Sequence, residues 1–112
     1  MNKVEAIIRP DRLETVLEAL AGIGYPGVTI SEVRGHGKQK GVTQQWRGNE
    51  YTVTFIPKVK IEVVVLDEDL DRTLDAVLRK ARTGKIGDGK IFVTKVEEAI
   101  RVRTGDHGMK AI

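Results

Sequence analysis

Gly84-Lys85-Ile86-Gly87-Asp88-Gly89-Lys90 combines three glycines with two lysines in seven residues, a composition suited to holding an anion. Glycines let backbone N–H groups approach phosphate oxygens closely, and Lys90 adds a positive charge. The spacing matches most of the G-x-x-x-x-G-K pattern of nucleotide-hydrolysing loops. Ile91, however, stands where a Ser or Thr would hold magnesium, and strand-like residues follow where a helix should. The hydrolytic reading fails on both counts. Spacing alone leaves two alternatives open: a different phosphate cradle, or a plain helix-to-strand turn with Gly84 as the helix stop.

A second glycine-basic cluster, Gly35-His36-Gly37-Lys38-Gln39-Lys40-Gly41, can wrap an anion from another side or serve as the hinge of a long loop. Arg101-Val102-Arg103 reads as a short edge strand that sets two guanidinium groups on one side, where they suit bidentate contact with phosphate. The plainer alternative is an edge blunted by charge. Trp46 and Tyr51 lie in an otherwise polar stretch, and aromatics on loops often anchor a partner. His36 and His107 are isolated, no His/Asp/Glu cluster has metal-ligand spacing, and no nucleophile-base set can be assembled. No catalytic constellation is legible.

The elements that position these residues follow from periodicity. Residues 3–9 alternate as a first strand, and Pro10 stands where a helix can begin. Leu13, Val16, Leu17, Leu20 and Ile23 recur at helical steps, and Gly22 and Gly24 end the helix. Residues 28–33 alternate as a second strand. From Gly35 to about Thr52 the pattern breaks, over a length beyond the ~12–15 residues at which structureless loops become uncommon and usually functional. Residues 52–55 and 59–66 read as strand, with Pro57 as a bend between them. Ile61, Val63 and Val65 face one way, opposite Lys60, Glu62 and Val64. A second helix opens on Asp67, Glu68, Asp69 and Asp71, the sign its positive end prefers, and shows an apolar face of Leu70, Leu74, Val77, Leu78 and Ala81. Residues 90–96 make a clear strand, and residues 97–100 a short turn of helix. The order is β-α-β-β-α-β, the split βαβ pattern of an α+β ferredoxin-like fold. Helices on one face of the sheet leave the other face to be covered by another copy.

Composition narrows the function classes. The chain has 112 residues, enough for one domain, with one Trp, two Tyr and two Phe, so its core must be aliphatic. There is no cysteine, which excludes disulfides, thiolate metal sites and cysteine nucleophiles. Nineteen basic and sixteen acidic residues give a net charge of +3, interleaved along the chain rather than gathered into a nucleic-acid-binding stripe. No apolar run approaches the ~20 residues that cross a bilayer, and the first residues alternate like a strand. A cytoplasmic location is expected.

These clusters, in this order, closely resemble the PII signal-transduction family of nitrogen regulators. The resemblance runs from Lys3 to Gly105 without a gap. It is carried most strongly by Thr83-Gly-Lys-Ile-Gly-Asp-Gly-Lys-Ile-Phe-Val93, Pro57-Lys-Val-Lys-Ile-Glu62 and Arg101-Val-Arg-Thr-Gly105, with support from Gln39-Lys40-Gly41 and Arg47-Gly48…Glu50-Tyr51. It implies a homotrimer of ferredoxin-like subunits with ATP or ADP in each cleft between neighbours. Residues 1–112 would form one such domain. Residues 37–55 would correspond to the partner-contacting T-loop, residues 82–90 to the B-loop, and residues 101–112 to the C-loop.

The resemblance further implies roles by position. Ile86, Gly87, Asp88, Gly89 and Lys90 would cradle the phosphates, with Gly35, Gly37, Lys38, Lys40 and Gly41 at the base of the T-loop. Thr29, Glu62 and Val64 would line the base and ribose region. Arg101 and Arg103 would reach in from the adjacent subunit. Gln39 would ligate Mg²⁺, Lys58 would pair with a carboxylate of 2-oxoglutarate, and Tyr51 would be a position for nucleotidylylation. The sequence departs from the family's usual residues at His36, often Phe, at Lys38, often Arg, at Trp46, usually Tyr, and at Asn49, usually small. Function is then regulatory rather than enzymatic: effector sensing that controls an ammonium transporter or nitrogen-metabolism enzymes, with membrane contact only through such a transporter. A ferredoxin-like RNA-binding module is the alternative. It would need aromatics on the sheet face, for which Phe92 is the main candidate.

Overall fold

The computed structural model describes residues 1–36, 43–46, 49–52 and 55–112. Strand β1 (Asn2–Ile8) leads through a short 3-10 turn at Pro10–Arg12 into helix α1 (Leu13–Gly22), followed by β2 (Thr29–Gly35). Strands β3 (Thr43–Trp46) and β4 (Asn49–Thr52) come next, then β5 (Ile56–Val65), helix α2 (Leu70–Ala81) and β6 (Gly89–Lys95). The main sheet has the antiparallel order β2-β5-β1-β6, and β3 and β4 form a separate two-stranded ribbon. The ferredoxin-like α+β expectation is borne out.

The core lies between the helices and one sheet face. It is aliphatic, as the scarcity of aromatics requires: Val4, Ala6 and Ile8 from β1, Val59, Ile61, Val63 and Val65 from β5, Val16 and Leu20 from α1, and Val77 and Ala81 from α2. Each of the Val, Ile and Leu side chains, fully buried, contributes roughly 1.5–3 kcal/mol. Burial alternates along β1 and from Val59 to Val65 in β5, so every second residue from Val4 to Ile8 and from Val59 to Val65 enters this core. In α2, Val77 and Ala81 are buried as expected, but Leu78 is 43% exposed and Thr73 is fully buried in its place. Thr73 tolerates burial because its hydroxyl donates to the Asp69 carbonyl one turn back, at 2.8 Å.

Helix α1 ends in a motif that the glycine pair foreshadows. Gly24 adopts φ +99°, its N–H donates to the Ala21 carbonyl at 3.1 Å, and the Tyr25 N–H reaches the Leu20 carbonyl at 2.9 Å. Tyr25 then ties this end to the start of α2. Its hydroxyl donates to Asp69 Oδ2 at 2.5 Å and accepts the Leu66 N–H at 3.1 Å. Burial, then the bond to Asp69, pushes the phenol above its ordinary range. Tyr25→Phe is expected to cost about 1–2 kcal/mol, because it strands a backbone donor and a carboxylate together. Urea denaturation of the two proteins measures the difference.

Three expectations need correction. Pro57 does not bend the chain: β5 runs through it, with Pro57 opposite Arg34. The β1 ladder covers β5 only from Val59 to Val65, so a missing N–H at Pro57 interrupts no bond to β1. The stretch expected to be one long loop contains the β3–β4 ribbon, in which Gln44 faces Tyr51 and Trp46 faces Asn49. Residues 97–100 form no helical turn; Ile100 instead bridges to His107.

The sheet face opposite the helices is polar at its centre. Glu5 and Glu62 lie directly across the β1–β5 ladder, an arrangement that repels unless neutralised. Lys60 stands between them, 3.5 Å from Glu5 and 3.8 Å from Glu62.

Candidate functional site

The glycine-lysine loop is built around one carboxylate. Asp88 Oδ2 accepts the N–H groups of Thr83 and Gly84, each at 2.8 Å. Its Oδ1 accepts the Thr83 hydroxyl and, at 3.0 Å, the Nε–H of Arg9. Thr83 Oγ1 in turn accepts the Lys85 N–H at 3.2 Å. The Thr83 hydroxyl, then Arg9 and the two backbone donors, hold the Asp88 carboxyl far below its ordinary 3.8. The side chain therefore faces into the loop as a brace, and it is the backbone around it that is free to meet a ligand.

Two cations from the sheet hold the loop's carbonyls. Arg9, just past the end of β1, donates through Nη2 to the Ile86 carbonyl at 2.7 Å. Lys58, buried on β5, donates its ammonium to the Gly87 carbonyl. Burial, and then the nearby Arg9 charge, lowers the Lys58 pKa. Gly84, Gly87 and Gly89 adopt φ of +87°, +103° and +101°, a region that side chains rarely enter. At Gly89 space is also decisive, because a Cβ would sit 1.7 Å from the Ile7 carbonyl oxygen. A strand follows the loop, as the sequence indicated.

The loop forms one wall of a groove of about 670 Å³ lined by Ile7, Gly35, His36, Ile56, Lys58, Ile86, Gly87, Gly89, Lys90 and Phe92. Two lysines face this space, and its lining among the described residues carries no carboxylate. Thr29, Glu62 and Val64 line a different groove, of about 660 Å³, together with Tyr25, Gly27 and, from the C-terminal segment, Met109, Ala111 and Ile112. Along β2 and β5 the two sets are separated by six residues (Gly35 to Thr29, Lys58 to Val64), roughly 20 Å at a strand's rise per residue. One chain thus carries two separate grooves at opposite ends of its sheet.

Arg101 and Arg103 line neither groove. The expected edge strand is absent: Arg101–Gly105 is a turn, in which the Gly105 N–H donates to the Arg101 carbonyl at 2.7 Å and Gly105 takes φ +73°. Arg101 and Arg103 are therefore not set on one side of a strand. Both are exposed, and Val102 between them is fully so. Gly37, Lys38, Gln39, Lys40 and Gly41 lie outside the described residues, and of Tyr51 only its place in β4 is described.

Sequence reasoning missed Arg9, Ile7 and Phe92 as parts of the loop's surroundings, and included Thr83 in the loop without giving it a role. Arg9 acts across 79 positions of sequence, so no local pattern marks it. Thr83, at the loop's first position, carried a signal that was legible: a hydroxyl five residues before an Asp, across a glycine turn. Among the described residues there is no group of three or more His, Cys, Asp or Glu arranged to hold a metal, and no helix long and apolar enough to cross a membrane.

Comparison with known proteins gives a consistent answer. Residues 1–106 match the family model described as nitrogen regulatory protein P-II. The chain is 54% identical to a nitrogen regulatory protein P-II of Bradyrhizobium diazoefficiens and 57% identical to that of Haemophilus influenzae, each over 112 residues and all of both chains. A crystal structure of Arabidopsis thaliana PII bound to citrate superposes with a TM-score of 0.80 at 45% identity, covering 98% of this chain and 87% of that one. The chain belongs to the nitrogen regulatory P-II family, whose members regulate other proteins and are not enzymes.

Proposed function

We propose that this protein senses ATP, ADP and 2-oxoglutarate, and that it reports their levels by controlling partner proteins through residues 37–55. The observation that carries the reading is the groove beside Gly87 and Gly89, where Lys58 and Lys90 face a space with no carboxylate in its described lining. Such a groove favours a polyanion, and the related plant protein is described as bound to citrate, a small polycarboxylate.

The two partial grooves support assembly as a homotrimer. A nucleotide's phosphates fit the lysine groove and its base the groove of Thr29, Glu62 and Val64, but one chain holds these at opposite ends of its sheet. A neighbouring copy that sets one groove against the other supplies a whole site. Arg101 and Arg103, exposed and away from both grooves of their own chain, would serve a neighbour. Mg²⁺ would arrive with the triphosphate, since the described residues offer it no cluster of ligands; Gln39 is the residue this chain would add. Lys58, already a donor to Gly87, would present its ammonium to a carboxylate of 2-oxoglutarate. Tyr51 remains the proposed position of modification, and an ammonium transporter or a nitrogen-metabolism enzyme the proposed partner in the cytoplasm.

An RNA-binding role is not favoured. Among the described residues Phe92 is the one aromatic on the open sheet face, and Glu5 lies directly opposite it on β1. Carboxylates beside a stacking platform repel a phosphate chain.

Calorimetry with ATP, ADP and 2-oxoglutarate in the presence of Mg²⁺ tests the proposal. ATP is expected to bind, and 2-oxoglutarate to bind more tightly once ATP and Mg²⁺ are present, with the coupling reciprocal. Lys90→Ala is expected to weaken ATP by about tenfold or more, the value of one charge-assisted contact. Failure of all three ligands to bind at millimolar concentration would overturn the reading.

A further inference from the structure

His36 is the first residue beyond the β2–β5 ladder, whose last pair is Gly35 with Ile56. Its ring meets that of Phe55, with centroids 5.9 Å apart and planes at 51°. The two rings meet just beyond the last pair of the ladder. His36 also lines the groove that holds Lys58 and Lys90, so one imidazole touches both Phe55 and the anion groove. The family resemblance places Phe at this position in many relatives, a ring that packs but cannot take a proton.

We propose that His36 is a proton-coupled contact of the anion groove: binding of a polyanion protonates its ring, which then acts as a third cation beside Lys58 and Lys90. The proposal rests on the reading of that groove as the phosphate and carboxylate site. Its physics is linkage. Lys58 from β5 and Lys90 from β6 are the charged groups on the groove's lining beside His36. Arg34 and Glu32, on the same strand β2, line the adjoining groove of Phe55. Arg9 and Asp88, behind the loop, are paired with each other. A bound polyanion reverses the local field, so ligand and proton bind together. Imidazole is the side chain suited to do this near neutral pH.

The test is ATP binding by calorimetry from pH 8 to pH 6, in wild type, His36→Phe and His36→Gln. Each is run in two buffers of different ionisation enthalpy, so that proton uptake is read directly. The Phe variant keeps a ring against Phe55, and the Gln variant keeps a polar side chain without charge. ATP's own protonation is common to all three proteins and cancels in the comparison. Wild-type affinity is expected to rise between pH 8 and pH 6 by about fivefold more than that of either variant, the effect of one added charge at close range in a solvated site. Wild type should also take up more protons per ATP near neutrality. Equal pH dependence and equal proton uptake in all three would overturn the role of His36 while leaving the groove as the anion site. No ATP binding by any protein at any pH would overturn both.

Discussion

Gly89→Ala is expected to cost about 3–5 kcal/mol of stability, at the severe end for a single substitution, because two penalties act at one position. The first is conformational: alanine must adopt φ +101° or force the chain out of it. The second is steric and larger. The added methyl would lie 1.7 Å from the Ile7 carbonyl oxygen and 2.8 Å from its carbonyl carbon, both backbone atoms that cannot swing aside. Relief requires β6 to lift away from β1 at the Ile8–Gly89 pair, which moves Lys90 and opens the loop. Both the urea midpoint and ATP affinity should therefore fall. Gly84→Ala serves as the comparison. Its φ is +87°, but nothing stands within 4 Å of an added Cβ, so only the conformational cost of about 1–3 kcal/mol should appear. Equal losses in the two variants would contradict the close approach to Ile7.

Asp88→Asn is expected to uncouple loop order from overall stability. The amide keeps the shape and one oxygen but sets an NH₂ group against the Thr83 and Gly84 donors or against Arg9. The loop loses its brace while the core, to which Asp88 contributes nothing, stays intact. ATP affinity should drop by about tenfold or more with little change in the urea midpoint, since a contact to a charged acceptor is lost at the site itself. Arg9→Ala should act in the same direction. The double variant should lose less than the sum of the two, because both changes break one network. The pH dependence has a definite sign. The folded-state value of Asp88 lies below its ordinary 3.8, so the brace holds the ordered form of the loop fully above that value. It is lost as pH falls through the depressed value. ATP binding by the wild type should consequently show no loss of this brace between pH 5 and pH 8, and any acid weakening over that range must arise from another group.

Much of the fold was legible because its elements are locally consistent. The alternation of β1 and β5 and the 3.6-residue repeat of α1 and α2 each name a buried face, and the faces agree with one another. What escaped was set by distant parts of the chain. Pro57 reads as a bend until the end of the β1 ladder at Val59 shows that its N–H is not required there. Thr43–Trp46 and Asn49–Thr52 lack apolar alternation, so nothing local distinguishes a polar ribbon from a loop. Arg101-Val102-Arg103 shows the opposite failure. Its alternation is present, but with Val102 fully exposed there is no buried face for it to serve, and the turn closed by Gly105 prevails. In the groove, Gly87, Gly89 and Lys90 were legible from residue type and spacing, and Lys58 only through the family resemblance. Asp88 was legible as a member but not in its role, because a carboxylate turned inward and one turned towards a ligand read alike in sequence. Arg9 was not legible at all.

Strand β5 carries Lys58 at one groove and Glu62 and Val64 at the other, all on the same face of the sheet. This gives the strand the character of a ruler with a parity rule. Insertion or deletion of one residue between positions 58 and 62 would not shorten the spacing gradually. It would turn one end of the strand over, sending a lysine into the aliphatic core or a valine out of it. The number of residues between the two grooves is therefore fixed more tightly than their identity. Engineered changes to the reach of this protein's binding surface have to come in steps of two.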